Sequence, residues 1–269
     1  MTMVLRNGHA YLGYFITTLK NALSYRLGYA LVVLSKLGTS LVMVFVWTAI
    51  YAASGAHEIA GFTVISMYTY FFLFSLISSM DMNISPKIQV DVDSGNVITY
   101  LVKPISYPLQ LFSEGLAELL LTFLMFVLPG VIIIGSVVPL NISWSSLALL
   151  SIEMFVFIAL AALIDFLIGF LAFYTTQIWG VINIMSFLII FLSGGIMPLN
   201  LFPSGISNVL MLLPFQMMGY TQVETLLGLL NVSAIMQNIA VGAAWTFALF
   251  IIALAMWTMT KKHITFAGG

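Results

Sequence analysis

The sequence predicts an all-α integral membrane protein with six transmembrane helices. The 269 residues include only 8 basic and 9 acidic ones, whereas 62% are hydrophobic and the mean hydropathy is +1.13. Soluble domains carry about 25% charged residues, so this chain has too few ionic groups to cover a surface in water. Soluble enzymes and nucleic-acid binders, which need a basic surface, are therefore excluded.

Six apolar stretches are long enough, or nearly so, to cross a bilayer as helices, which takes about 20 residues each. Long runs such as 154–173 do not alternate polar and apolar residues, as the strands of a membrane barrel do. We expect residues 1–269 to form a single transmembrane domain. The six stretches are Leu31–Tyr51, Phe62–Met80, Leu116–Val138, Leu147–Phe173, Ile178–Ser193 and Ile235–Thr258.

The basic residues predict the orientation of these spans. Connections 52–61, 139–146 and 194–234 contain no Lys or Arg. Because Lys and Arg are retained on the cytoplasmic side, both termini are predicted to be cytoplasmic, in a plasma or inner membrane. Residues 10–27 are predicted to form an interfacial amphipathic helix before the first span, with an irregular arm as the alternative. The eight basic residues are Arg6, Lys20, Arg26, Lys36, Lys87, Lys103, Lys261 and Lys262.

The first long connection, Asp81–Ser113, lies on the predicted cytoplasmic side; we call it the 81–113 segment. Asp93 or Ser94 is predicted to cap a short helix, which Pro104 ends. Its apolar face would dock on a partner, and packing of that face under the bundle is the alternative. The acidic pattern lacks the further ligands of a calcium loop, so no metal site is predicted. The candidate docking residues are Asp91, Asp93, Ser94, Gly95, Val97, Ile98, Leu101, Val102, Lys103 and Pro104.

The second long connection, Gly194–Ser233, lies on the predicted outer side; we call it the 194–233 segment. It follows the fifth span, which is short and runs into Ser193-Gly194-Gly195, a sequence typical of a helix that breaks inside the membrane. Non-helical backbone at membrane depth needs protein or a cavity around it. We therefore predict a re-entrant pair of short helices that caps the outer end of the bundle, either with a gating role or as a lid without one. The candidate gate residues are Gly194, Gly195, Pro198, Phe202, Pro203, Pro214 and Phe215.

No catalytic residues are predicted. The run Phe191–Gly194 lacks the first glycine of an intramembrane serine protease motif, and no histidine lies in a predicted span. His57-Glu58-Ile59-Ala60-Gly61 has a glycine where a zinc protease needs its second histidine. The chain has no cysteine and no phosphate-binding loop of the Gly-x-x-x-x-Gly-Lys-Ser/Thr type.

A few charges lie in or at the ends of the predicted spans, and we interpret them as structural. Glu153 and Asp165 are about 120° apart on a helix of 3.6 residues per turn, so they cannot form one site. Glu114 and Glu118 share a helix face, with Lys36 and Lys103 as candidate ion-pair partners. A proton or ion path is the alternative. The set is Lys36, Glu114, Glu118, Glu153 and Asp165.

The two long connections together resemble permeases of the ABC type-2 family. In the outer segment the resemblance lies in 193–203, SGGIMPLNLFP, and in the later Leu213-Pro214-Phe215. In the inner segment it lies in 93–97, DSGNV, and 101–105, LVKPI. These motifs, the span order and the predicted topology cover most of the chain.

The resemblance implies the membrane subunit of an ATP-driven exporter. ATP and magnesium would be bound by a separate ATP-binding-cassette ATPase, so this chain itself would hold no cofactor. The 81–113 segment would contain the coupling helix that docks on that ATPase, and Gly194–Phe215 would form the outer gate. Six spans would be half of a transporter, completed by a second permease, either a copy or a paralogue. The alternatives are an ion-coupled secondary carrier and a non-transporting assembly or immunity protein; drug, peptide and lipid substrates all remain open.

Overall fold

A computed structural model describes residues 2–24, 26–103, 105–138, 143–175 and 177–267. These residues are almost entirely helical, which confirms the predicted all-α class. The N-terminal elements are α1 (Thr2–Ser24), α2 (Arg26–Ser54), the hairpin strands β1 (Glu58–Ile59) and β2 (Phe62–Thr63), and α3 (Val64–Ser78).

The hairpin moves the start of the second apolar helix. We predicted a span from Phe62, but Phe62 and Thr63 pair with β1 in an antiparallel register. The Thr63 side chain then accepts a hydrogen bond from the Ser66 amide and caps α3. Such a cap satisfies a backbone donor that the first helical turn leaves free, so the helix begins at Val64.

The 81–113 segment is mostly helical, whereas the sequence analysis predicted one short helix within it. It contains α4 (Ile84–Asp93), α5 (Asn96–Val102) and the start of α6 (Tyr107–Thr122). The sequence analysis predicted α5 and missed α4. Proline usually interrupts a helix, but Pro86 lies in the first turn of α4, where a proline removes no hydrogen bond. The four-residue spacing of Ile84 and Ile88, both buried, was the available signal.

The next helix carries a local irregularity ahead of Pro129. After Thr122 the backbone forms a π-helical turn, Phe123–Val127, before α7 (Leu128–Val137). Proline has no amide proton to donate to the carbonyl four residues earlier, and bulges of this kind relieve that mismatch.

The remaining helices follow with one further interruption. α8 (Trp144–Gly169) continues as a 3-10 turn, Phe170–Phe173, and is followed by α9 (Trp179–Leu192). Two 3-10 turns then alternate with two short helices in the 194–233 segment. These elements are Leu199–Leu201, α10 (Ser204–Leu210), Pro214–Met218, α11 (Tyr220–Leu226) and finally α12 (Val232–Ala267).

Helix lengths agree with a membrane as the solvent. Three helical runs are long and apolar enough to cross it, namely Tyr107–Val137, Trp144–Phe173 and Val232–Thr260. Three shorter apolar helices, Gly38–Ser54, Val64–Ser78 and Trp179–Leu192, coincide with the other predicted spans. The buried core lies where α3, α4, α8 and α11 meet, and large side chains such as Tyr70, Ile88 and Phe170 fill it.

Candidate functional site

A carboxylate from α8 caps the N-terminus of α4. The residue before α4, Asn83, has left-handed backbone (φ 50°) and supplies no capping side chain. Instead, Oδ2 of Asp165 accepts hydrogen bonds from the amides of Ile84 (2.5 Å) and Ser85 (3.1 Å). The Ser85 hydroxyl donates to Oδ1 of the same carboxylate. Because the first amides of a helix have no partner inside it, this contact holds α4 firmly against α8.

Ionic and hydrogen-bonding contacts also join α4 to α6. Nζ of Lys87 lies 3.0 Å from Oε1 of Glu118. At the other end of α4, the Tyr107 hydroxyl donates to Oδ2 of Asp91 over 2.8 Å. Burial raises the pKa of Asp91, while the hydrogen bond from Tyr107 and the charge of Lys87 oppose that rise. The two contacts hold α4 along its whole length.

A third contact joins α4 to the start of α9. Oε1 of Gln89 accepts a hydrogen bond from the amide of Ile178 over 2.8 Å. Close packing accompanies it, because a Cβ on Gly169 of α8 would lie 2.9 Å from Cα of Ser85 and 2.7 Å from Cδ1 of Ile88. Only glycine permits that approach. α4 is therefore bound to α6, α8 and α9 at once.

The structure corrects the predicted partner of Glu118. That partner is Lys87 and not Lys103, which instead lies over the ring of Tyr100, 4.8 Å from its centroid. Glu114 accepts a hydrogen bond from Nε2 of Gln110 over 2.9 Å. The side chain of Lys36 lies outside the described residues.

The cap of α5 also differs from the prediction. Gly95 occupies the capping position with φ 72°, a left-handed conformation that favours glycine. Ser94 belongs to the end of α4, where its hydroxyl donates to the carbonyl of Val90 over 2.7 Å. Asp93 accepts a hydrogen bond from Nε2 of Gln89. Neither Asp93 nor Ser94 therefore caps α5.

The apolar side chains of α5 point in two directions. Val97 is 4% exposed and packs into the core, whereas Ile98 is 60% exposed. The side chains of Leu101 and Val102, and the whole of Pro104, lie outside the described residues. The burial of Val97 agrees with the alternative that this face packs under the bundle. The exposure of Ile98 leaves apolar surface on α5 that a partner could cover.

Glycines bring the 194–233 segment close to α3. The α9 helix ends at Leu192, which agrees with the predicted break. Gly194 has φ 89°, and its carbonyl accepts a hydrogen bond from the Tyr70 hydroxyl over 3.0 Å. A Cβ on Gly195 would lie 2.6 Å from Cε1 of Phe74. Gly219, which the sequence analysis did not select, packs against the same ring.

The other candidate gate residues start or join the short helices. Pro198 and Pro203 directly precede the first 3-10 turn and α10, and Pro214 begins the second 3-10 turn. Proline suits these positions because its φ is already helical and the amide it lacks would be unpaired. The Phe202 ring meets the Phe191 ring of α9 edge-on, with centroids 5.8 Å apart. Phe215 is half-buried in the second 3-10 turn.

The last short helix, α11, is buried along its whole length despite its polar sequence. Nε2 of Gln222 donates to the carbonyl of Met217 over 2.8 Å, and Thr221 is equally buried. Glu153 of α8, which packs beside α11, is fully buried. Within the described residues its carboxylate oxygens have no hydrogen-bond partner.

Glu224 lies in α11, outside the membrane-spanning helices. Burial raises the pKa of its carboxyl from 4.5 to about 7, although a hydrogen bond with Tyr220 opposes the rise. A folded carboxyl that keeps its proton where the unfolded chain has lost it makes stability depend on pH. The contribution is fully present below pH 4.5 and is lost as the pH rises to about 7.

Glu224→Gln should therefore reduce the pH dependence of thermal stability. We expect the melting temperature of the wild-type protein to be lower at pH 8 than at pH 5. Glu224→Gln should remove about 5 °C of that decrease. Size-exclusion chromatography of heated, detergent-solubilised protein measures the midpoint. Glu58→Gln, which removes an exposed carboxylate, is the matched control and should behave as wild type. An unchanged pH dependence in Glu224→Gln would contradict the assignment.

A comparison with known protein families gives a match to most of the chain. The profile of the family described as ABC-2 family transporter protein matches residues 37–268. The chain belongs to the ABC-2 transporter family. The matched residues include both the 81–113 and the 194–233 segments. No curated protein sequence matches the chain. Members of this family are generally membrane subunits without enzymatic activity and work with an ABC ATPase.

Proposed function

We propose that this ABC-2 family protein is the permease subunit of an ATP-driven exporter. Six helices cross the cell membrane, both termini are cytoplasmic, and the 81–113 segment docks on a separate ATP-binding-cassette ATPase. The observation that supports this most is the triple anchorage of α4 on α6, α8 and α9. A helix held in this way can move three membrane helices when a partner pushes on it.

The proposed force path begins at α5. Ile98 offers an exposed apolar side chain for the ATPase, and Val97 fastens the same helix to the core. Movement of α5 passes to α4 through the short turn at Gly95, and from α4 to α8 through the Asp165 carboxylate. Packed helices transmit such shifts because they rearrange as rigid bodies. ATP and magnesium act on the partner, since the sequence contains no phosphate-binding loop.

The proposed transporter contains two permeases. Between Trp179 and Leu192, α9 has no buried residue, so this helix presents most of its surface outside the chain. A second permease, either a copy or a paralogue, would cover part of α9 and complete the pathway, as in symmetric membrane dimers. The 194–233 segment would close the outer end of that pathway. Its backbone, packed on Tyr70 and Phe74 of α3, would respond when α3 moves.

Co-expression with ATP-binding-cassette ATPases from the same organism tests the proposal. We expect one of these ATPases to copurify with the chain in detergent and the complex to hydrolyse ATP in a vanadate-sensitive manner. An unrelated phosphate-loop ATPase should not copurify and serves as the control. Transport that an ion gradient drives without the ATPase, or a chain that never retains the ATPase, would contradict the proposal.

A further inference from the structure

A cavity opens between α3, α8 and α9 and reaches the start of α4. Its volume is about 150 Å³. One water molecule needs roughly 10–15 Å³ on this scale, so the cavity has room for a small organic group. α8 lines it from Phe157 to Ile168, which is about 16 Å of helix at 1.5 Å per residue.

The cavity has both apolar side chains and hydroxyl groups along its walls, and it is acidic at one end. Ile164 and Ile168 of α8 face Ile182 and Ile189 of α9 across it. The carboxylates of Asp81 and Asp165 both lie at the end nearest α4. Four serines also line the cavity, namely Ser78, Ser85, Ser186 and Ser193.

The negative charge at this end is only partly compensated. The Asp165 oxygens are occupied by the amides and hydroxyl of α4. Oδ1 of Asp81 accepts a hydrogen bond from the Asn83 amide over 3.2 Å. The Asp81 side chain is exposed, and none of the residues that line the cavity is basic. Lys87, six residues after Asp81, is paired with Glu118.

We propose that this cavity binds an amphiphilic cation, with an ammonium headgroup at Asp81 and an apolar tail between α8 and α9. An anion would meet two carboxylates there, and a neutral polar molecule would leave the isoleucine walls unmatched. Phe74 and Phe157 line the cavity away from Asp81 and add apolar surface for the tail. That such cations are the transported substrates rests on the proposed function, whereas their binding to the cavity does not.

Radiolabelled decyltrimethylammonium is a suitable probe, with the full chain in nanodiscs of zwitterionic lipid and without any ATPase. We expect saturable binding that Asp81→Asn weakens about tenfold, the loss of one favourable charge contact. The uncharged isostere 2,2-dimethyldodecane and the anion decyl sulfate should compete at least tenfold less well. Glu58→Gln removes a carboxylate distant from the cavity and should bind as wild type. Equal binding by Asp81→Asn, or equal competition by decyl sulfate, would overturn the assignment.

A second pair of variants tests the cavity itself. Ser186→Phe places a ring into the cavity from α9 and should abolish saturable binding. Ile184→Phe adds a ring to the same helix, at a position that is 62% exposed and not part of the cavity wall, and should leave binding unchanged. Unchanged binding by Ser186→Phe would place the cation elsewhere. Because these assays contain no ATPase, their failure is distinguishable from a failure of the proposed coupling, which copurification measures.

Discussion

Asp165→Ala should separate α4 from α8 and lower the free energy of unfolding by roughly 2–3 kcal/mol. The variant leaves the amides of Ile84 and Ser85 and the hydroxyl of Ser85 without their acceptor. Buried donors without a partner cost about 1–3 kcal/mol, and more when the lost acceptor is charged. The melting midpoint of detergent-solubilised protein measures the loss. Limited proteolysis should show faster cleavage within the 81–113 segment than in wild type.

Two further variants make the Asp165 experiment specific. Asp165→Asn keeps one carbonyl oxygen as an acceptor and should lose about half as much stability. Asp93→Ala removes an exposed carboxylate from the same segment and should change stability by no more than about 0.5 kcal/mol. A midpoint for Asp165→Ala equal to that of Asp93→Ala would show that the cap does not hold α4.

Ile98→Asp should reduce the amount of copurified ATPase at least tenfold while the permease itself stays folded. Ile98 is 60% exposed, so the substitution removes no core contact. If α5 docks in an apolar groove of the ATPase, the new carboxylate is desolvated there without a partner, which is costly. A tenfold loss of binding corresponds to about 1.4 kcal/mol, well within that cost. Quantitative pull-down at a fixed permease concentration measures the effect.

The control for Ile98→Asp is Val209→Asp. Val209 is also apolar, is 57% exposed, and lies on α10, which has seven residues as α5 does, but on the predicted outer side. The proposed topology predicts normal ATPase binding for this variant. If both variants lose the ATPase equally, a general effect of charge explains the result. If neither loses it, α5 is not the docking helix.

Local sequence was enough to predict those features that depend on neighbouring residues. The end of α9 at Leu192 follows from Ser193-Gly194-Gly195, and α5 follows from the apolar residues between Gly95 and Pro104. These signals act within a few residues, through backbone conformation and helix periodicity. Helix α4 was missed because its N-terminal cap is not in its own sequence. Asn83 offers none, and the acceptor comes from α8.

The same distinction explains the ion pairs. The sequence placed Glu118 at the end of a span and suggested Lys36 and Lys103 as its partners, but it did not point to Lys87. The choice of Lys87 depends on how α4 lies along α6, which in turn depends on the Asp165 cap and the glycine contact at Gly169. Spacing along a chain cannot show which of two distant helices a side chain meets.

By itself, the sequence determined that the solvent is lipid, where the apolar helices lie, and which segments interrupt them. Those properties follow from composition and from contacts between near neighbours, because lipid leaves a chain few ways to satisfy its backbone. The tertiary structure alone decided that Asp165 binds α4 across 81 residues of chain. It also placed Asp81 at one end of a cavity between α3, α8 and α9. Both depend on the packing of helices far apart in sequence, where shape and hydrogen-bond geometry select one arrangement among many.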